Sequence, residues 1–336
     1  MHIPENYLSP ITCAAMGAVM IPIWYKAVKK VEIAVQQDKE TIPMLAITTS
    51  LSFLIMMFNL PAPGGTTAHA VGAVLIALLM GPWAATLSIS IALAMQALLF
   101  GDGGILAFGA NCFMMGVVMP FSGYAIHQLL TKKFQAKKFQ FFINFLSGYV
   151  GILLAALGVA LLLGIQPLLF KDSSGQPLYN PYPLNVTIPA MGLTHLIIGI
   201  VEGFFTAGVY QFIQHFHLKE SLTTSQTSPK NSLFSRFKSL FILLGALIIL
   251  TPLGLLASGT AFAEWDITEL VENLSSYHLT VSTPKGMISG FNFNALIPDY
   301  SISGIPESLA YILSAITAVL LFFILYRLVF GRKLLK

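Results

Sequence analysis

Apolar positions run along this chain in long blocks, without the intervals of an amphipathic surface helix. Nine such blocks occur, at 8–28, 42–60, 68–80, 83–100, 105–130, 140–170, 188–216, 238–257 and 307–330. A helix needs about 20 mostly apolar residues to cross a bilayer core. The blocks therefore predict an all-α integral membrane protein of about nine transmembrane helices. The third block is short and is parted from the fourth only by Gly81-Pro82, and the pair reads as two spans. Seven closely spaced helices are expected over 1–216, then a polar Ser/Thr-rich linker at 217–237. The remainder, 238–336, holds two helices around a long loop at 258–306. No internal repeat is visible.

Charge adds a direction. Lys26, Lys29, Lys30 and Lys39 follow the first block, and Lys132, Lys133, Lys137 and Lys138 the fifth. Lys219, Lys230, Arg236 and Lys238 follow the seventh, and Arg327, Arg332, Lys333 and Lys336 the ninth. With nine spans all four clusters fall on one face, which the positive-inside rule makes cytoplasmic. The N-terminus is then outside and the C-terminus cytoplasmic. Composition agrees: 56% of the residues are hydrophobic and 10% charged, against about a quarter charged in soluble domains. The net charge of +4 comes without a basic stretch interleaved with aromatics, so lipid is the expected surrounding and nucleic acid is not. The opening MHIPENYLSP lacks the cationic start of a cleaved signal peptide. No GxxxxGK[ST], nucleophile elbow or HExxH is present. No bond chemistry is expected of this chain, and any ATP hydrolysis belongs to another. Cys13 and Cys112 lie inside apolar blocks and read as small core residues, not a disulfide.

The first two residues carry the informative chemistry. The Met1 amine, the His2 amide once deprotonated and the His2 imidazole close small chelate rings in one plane. A planar nitrogen field suits Ni(II), Cu(II) or Co(II) and not Mg(II) or Ca(II). Met1 is expected to be retained, because a large second residue blocks removal of the initiator. His69, after PAPGGTTA, lies on the same predicted face and supplies a fourth corner. On the residues alone, a solvated terminal His2 and a helix-capping His69 remain an open alternative. His195 and Glu202, seven residues apart on one helix face, read as supporting or helix-bridging groups, since a carboxylate at membrane depth needs a partner. Met114 and Met115 read as packing, His127, His215 and His217 as interfacial, and His278 as uninformative. Small residues at Ala14-xxx-Ala18 and Cys13-xxx-Gly17 allow close helix approach.

Four segments together resemble one family. MHIPENYLSP, PAPGGTTAHAVGAVLIALLMGP, MQALLFGDGGILAFGANCFMMGVVMPFSGYAI and HLIIGIVEGFFT occur in order over 1–216. They resemble the CbiM/NikM family, the substrate-binding components of cobalt and nickel energy-coupling-factor (ECF) transporters. The remainder, with TPLGLLASGTAFAEW, is similar to the family's two-span companion subunit, here fused. The resemblance implies Ni2+ or Co2+ as transported substrate, held by Met1, His2 and His69, with Glu5 and Asn111 as supports. It further implies a transmembrane coupling subunit and cytoplasmic ATP-binding subunits as partners, in a prokaryotic plasma membrane. Two positions depart from the pattern: Ala70, where many members have a larger aliphatic residue, and Pro4-Glu5-Asn6, where many have Met-Glu-Gly. A stand-alone secondary transporter or channel is the competing reading, and it would bring inverted repeats and a polar track through the membrane.

Overall fold

The computed structural model describes residues 1–63, 65–134, 136–223, 237–257, 259–276 and 282–331. Lys230, Arg236, His278, Arg332, Lys333 and Lys336 fall outside them, as do the side chains of His217 and Lys219. Among the described residues, seven helical stretches are long and apolar enough to cross a membrane. They are α1 (Pro10–Gln37), α4 (Pro82–Met95, prolonged by a π-helical turn to Phe100), α5–α6 (Phe108–Lys133), α7 (Gln140–Gly164, running on into the short α8, Gln166–Leu169), α9 (Leu184–Thr223), α10 (Lys238–Leu250, prolonged by a 3-10 turn to Leu256) and α13 (Glu307–Gly331). Within the α5–α6 stretch, α5 (Phe108–Phe113) joins α6 (Met119–Lys133) through a second π-helical turn at Met114–Val118. The protein is an all-α, multi-pass membrane protein.

The second and third apolar blocks are shorter than a full span. The second forms the 16-residue α2 (Thr41–Met56). The connection between them forms a hairpin of β1 (Leu60–Ala62) with β2 (Thr66–Ala68), which takes in only Ala68 of the third block, and of that block only α3 (Ala73–Met80) is helical. Pro61, Pro63 and the β-branched Thr66 and Thr67 disfavour a helix there, a local preference that hydropathy alone does not register. Direction is preserved nonetheless. One cavity is lined by Lys30 and Asp38 from the end of α1, Thr41 from α2, Gly81 and Pro82 from the α3–α4 turn, and Phe237. Those ends therefore share one face, opposite to residues 1–8. Gly81, at φ +87°, makes that turn with Pro82 as the first helical residue.

The non-helical run 69–72 enters the helical core, where unpaired backbone groups would be costly. Side chains satisfy it. Ser52 donates to the Val71 carbonyl at 2.6 Å. Glu202 of α9 accepts the Val71 amide at 2.7 Å and the Gly72 amide at 3.0 Å, and Thr206 donates to it at 3.3 Å. Glu202 is thus the N-terminal cap of the half-length α3, bridging two helices. Of the two small-residue pairs in α1, Gly17 faces inward. A Cβ on Gly109 of α5 would lie 2.6 Å from the Gly17 nitrogen, so these backbones touch. Ala14 and Ala18 are exposed.

The C-terminal part packs onto α2 and does not stand apart. Tyr326 shares a 2.8 Å hydrogen bond with Thr49, and Phe322 meets Phe53 edge-on. The long loop 258–306 is folded where described: α11 (Ile267–Ser276), α12 (Lys285–Ile288) and a 3-10 turn at Pro298–Tyr300 lie over the end that holds residues 1–8. Lys285 pairs with Asp172 at 2.8 Å, and Ala261 bridges to Thr67.

Candidate metal centre

Residues 1–8 do not wave in solvent; they are buried between the two parts of the chain. Met1, His2 and Ile3 are each at most 3% exposed. Asn111 clamps the backbone of Ile3, accepting its amide at 2.8 Å and donating to its carbonyl at 3.0 Å. Gly104 donates to the same carbonyl at 2.9 Å. The glycines of the GDGG segment permit this approach: a Cβ on Gly104 would lie 2.8 Å from the Glu5 nitrogen. Glu5 accepts the amides of Ile105 and Leu106, and burial raises its carboxyl above the usual range, partly offset by those two donors. Asn6 adopts φ +65°, a left-handed conformation that glycine and asparagine tolerate best. Its side chain pairs with Phe291 of the C-terminal part, donating to the carbonyl at 2.8 Å and accepting the amide at 3.0 Å.

His2 and His69 meet inside this enclosure. His2 Nδ1 stands 3.3 Å from His69 Nε2 and 3.1 Å from Asp102 Oδ1. The proton positions follow from the partners. His69 Nδ1 lies 3.0 Å from the Ala70 carbonyl, which can only accept, so Nδ1 carries the hydrogen and Nε2 keeps its lone pair. Gln96 donates its amide nitrogen to Asp102 Oδ2 at 3.1 Å, which turns its oxygen toward His2 Nε2 at 3.3 Å. That oxygen calls for a hydrogen on His2 Nε2, leaving Nδ1 as a lone pair as well. His2 Nδ1 thus lies between two further electron-rich atoms, His69 Nε2 on one side and Asp102 Oδ1 on the other, contacts that a cation or a proton would stabilise. Burial, followed by the nearby Met1 ammonium and His2, pushes the His69 imidazole well below its ordinary range, which favours its neutral form.

The Met1 amine closes the group through Glu264 Oε1 at 2.9 Å. Ligating atoms of His2, Asp102 and Glu264 all lie within 4.8 Å of one another. A cavity of about 240 Å³ opens beside them, with Asn59, Thr67, Thr260 and Tyr311 in its walls. Tyr300, whose phenol burial and then Asp102 push far up, donates to Asp102 Oδ2 at 2.6 Å.

Of the residues singled out in the sequence, Met1, His2, His69, Glu5 and Asn111 come together here. His195 and Glu202 are buried in α9, and neither touches these atoms among the described contacts. His195 donates within its own helix, from Nδ1 to Met191 O at 2.9 Å, and its buried Nε2 meets no hydrogen-bond partner among the described residues. Met114 packs on Gly158, Cys13 and Cys112 are free thiols, and His127 faces Tyr210 with ring centres 6.4 Å apart. Gln96, Asp102, Glu264 and Tyr300 were not anticipated. Gln96 and Asp102 both sit in the QALLFGDGG run, and a charge flanked by glycines beside a π-helical turn is a signal that could have marked them.

Glu202→Gln is expected to lower thermal stability in detergent, because an amide cannot accept all three donors and a buried donor left unpaired costs about 1–3 kcal/mol. Its metal affinity should change less than that of His69→Ala. Loss of metal binding at an unchanged unfolding temperature would instead make Glu202 a ligand.

The fold and this site define a class: a multi-pass helical membrane protein that buries its own first residues beside His69, Asp102 and Glu264. Comparison with known proteins gives the family. The model described as the cobalt uptake substrate-specific transmembrane region matches residues 2–219, and that of the PDGLE domain matches 236–332; the chain belongs to this cobalt and nickel transport family. It is similar to the probable fused nickel transport protein LarMN of Lactiplantibacillus plantarum, 51% identical over 97% of each chain. It is also similar to the fused nickel transport protein NikMN of Rhodobacter capsulatus, 41% identical over 96% of this chain and 94% of that one. The cobalt transport protein CbiM of Clostridium cellulovorans is 31% identical over 66% and 81%. A crystal structure of a transition metal transporter superposes with a TM-score of 0.61 at 52% identity, over 66% of this chain and 96% of that one.

Proposed function

We propose that this chain is the metal-capture component of an ATP-driven ECF-type importer, binding Ni2+ or Co2+ through the Met1 amine, the amide and Nδ1 of His2, and Nε2 of His69. The single observation that carries this reading is the approach of His2 Nδ1 to His69 Nε2 at 3.3 Å, with the Met1 amine buried beside them. Two nitrogens each about 2.0–2.1 Å from a metal and at right angles to it are roughly 2.9 Å apart. The observed 3.3 Å between the imidazoles is near that spacing. The Met1 amine and His2 Nδ1 would lie trans across the His2 amide, with His69 opposite the amide. Asn111 and Glu5 hold the N-terminal run in place, and Glu202 holds the segment that presents His69.

The chain is divided as 1–216 for capture, 217–237 as linker and 238–336 as fused companion, a division that the two separate family matches support. Residues 1–8 face outward in a prokaryotic plasma membrane, and the ends of α1, α6 and α13, with Lys39, Lys132 and Arg327 near them, face the cytoplasm. The chain performs no catalysis; a transmembrane coupling subunit and cytoplasmic ATPases supply the work. Reconstituted alone in vesicles, it is expected to bind Ni2+ without accumulating it, and to accumulate it on addition of those subunits and ATP. Accumulation by the chain alone, driven by an ion gradient, would favour a stand-alone secondary transporter.

A further inference from the structure

The terminal amine is ion-paired by the C-terminal part, not by the seven-helix unit that carries the other donors. Glu264 Oε1 lies 2.9 Å from the Met1 nitrogen, whose side chain is fully buried. Several contacts fix this carboxylate from both sides. The Glu264 amide donates to Ala261 O at 3.0 Å, closing a turn in which Ala263 takes φ +59°, a conformation costly for a residue with a Cβ. Ala261 bridges to Thr67, two residues before His69. The next residue, Trp265, accepts the Tyr7 hydroxyl at 2.9 Å. By contrast, the direct clamps of the seven-helix unit on the backbone of this run begin at Ile3.

We propose that Glu264 is a positioning residue for metal capture. It fixes the Met1 amine at the pocket before the ion arrives and sets a negative charge beside the ion's place. The M2+ then loads onto a terminus already in position, displacing one proton from the ammonium and one from the His2 amide to solvent, and the fused C-terminal part has a direct chemical role at the substrate site. This inference rests on the reading of Met1, His2 and His69 as ligands.

The test uses the full-length chain with a free Met1 verified by mass, mixed rapidly with Ni2+ and followed by absorbance. Glu264→Gln is expected to slow loading about tenfold, the scale of losing an outer-shell partner, with the final Ni2+ spectrum unchanged. Glu264→Asp should recover part of the rate. Glu272→Gln, an exposed acidic position in the same part, should load like the parent. Parent-like loading by Glu264→Gln, with His69→Ala still unable to bind, would overturn this inference alone. A changed Ni2+ spectrum in Glu264→Gln would overturn it too, since Glu264 would then be a ligand. Full affinity in His69→Ala would overturn the ligand assignment and this inference with it.

Discussion

Replacing His69 by Ala is expected to lower affinity for Ni2+ and Co2+ by at least about 100-fold, since removing even an outer-shell partner costs about 10–100-fold. The fold should survive. His69 sits in the extended run between β2 and α3, and its ring contacts are the adjacent Ala70 carbonyl and His2. The run is anchored independently by Ser52 and Glu202. The variant loses one donor from the site without losing the clamps around it. Calorimetric titration of purified protein, with thermal unfolding as the control for folding, checks this. Undiminished affinity would remove His69 from the site.

An N-terminal extension is expected to eliminate uptake, while one after Lys336 leaves it intact. An extension turns the amine into an amide, which offers neither the ammonium that pairs with Glu264 nor an amine lone pair for a metal. It must also leave an enclosure in which the Met1 side chain is fully buried and paired with Glu264 at 2.9 Å. A single inserted Ser is a poor substitute, because trimming of the initiator would leave Ser-His with a new free amine. A longer, uncleaved tag in metal-limited cells expressing all partner subunits gives the clean comparison. Normal accumulation with the tag shown to be intact would exclude the amine as a ligand.

Much of the architecture was legible because membrane spans announce themselves locally. Nine apolar blocks correspond to helices, and Lys132 and Lys133 mark the end of α6, whereas α1 runs on past Lys26, Lys29 and Lys30 to Gln37. The third block, 68–80, is helical only from Ala73: Ala68 ends the hairpin that the connection 61–67 forms, and residues 69–72 stay non-helical, held by Ser52 and Glu202, which hydropathy does not register. His2 and His69 were raised by ligand chemistry, and the family resemblance favoured them as ligands over a solvated terminus and a helix cap. Their carboxylate and amide neighbours were not. Glu264 lies 263 positions from Met1 and Tyr300 lies 198 from Asp102, and no local pattern links partners so far apart. Glu202 was recognised as needing a partner, yet that partner is backbone, Val71 and Gly72, which no side-chain motif reveals.

The central claim is that the cargo is held by the amine, amide and imidazole of the first two residues together with His69. X-ray absorption at the nickel edge, on Ni2+-loaded protein with a native N-terminus, reads that shell directly. The account predicts four nitrogen donors in a planar arrangement, with imidazole scattering from two rings. A six-coordinate shell dominated by oxygen, from Asp102, Glu264 and water, would contradict it.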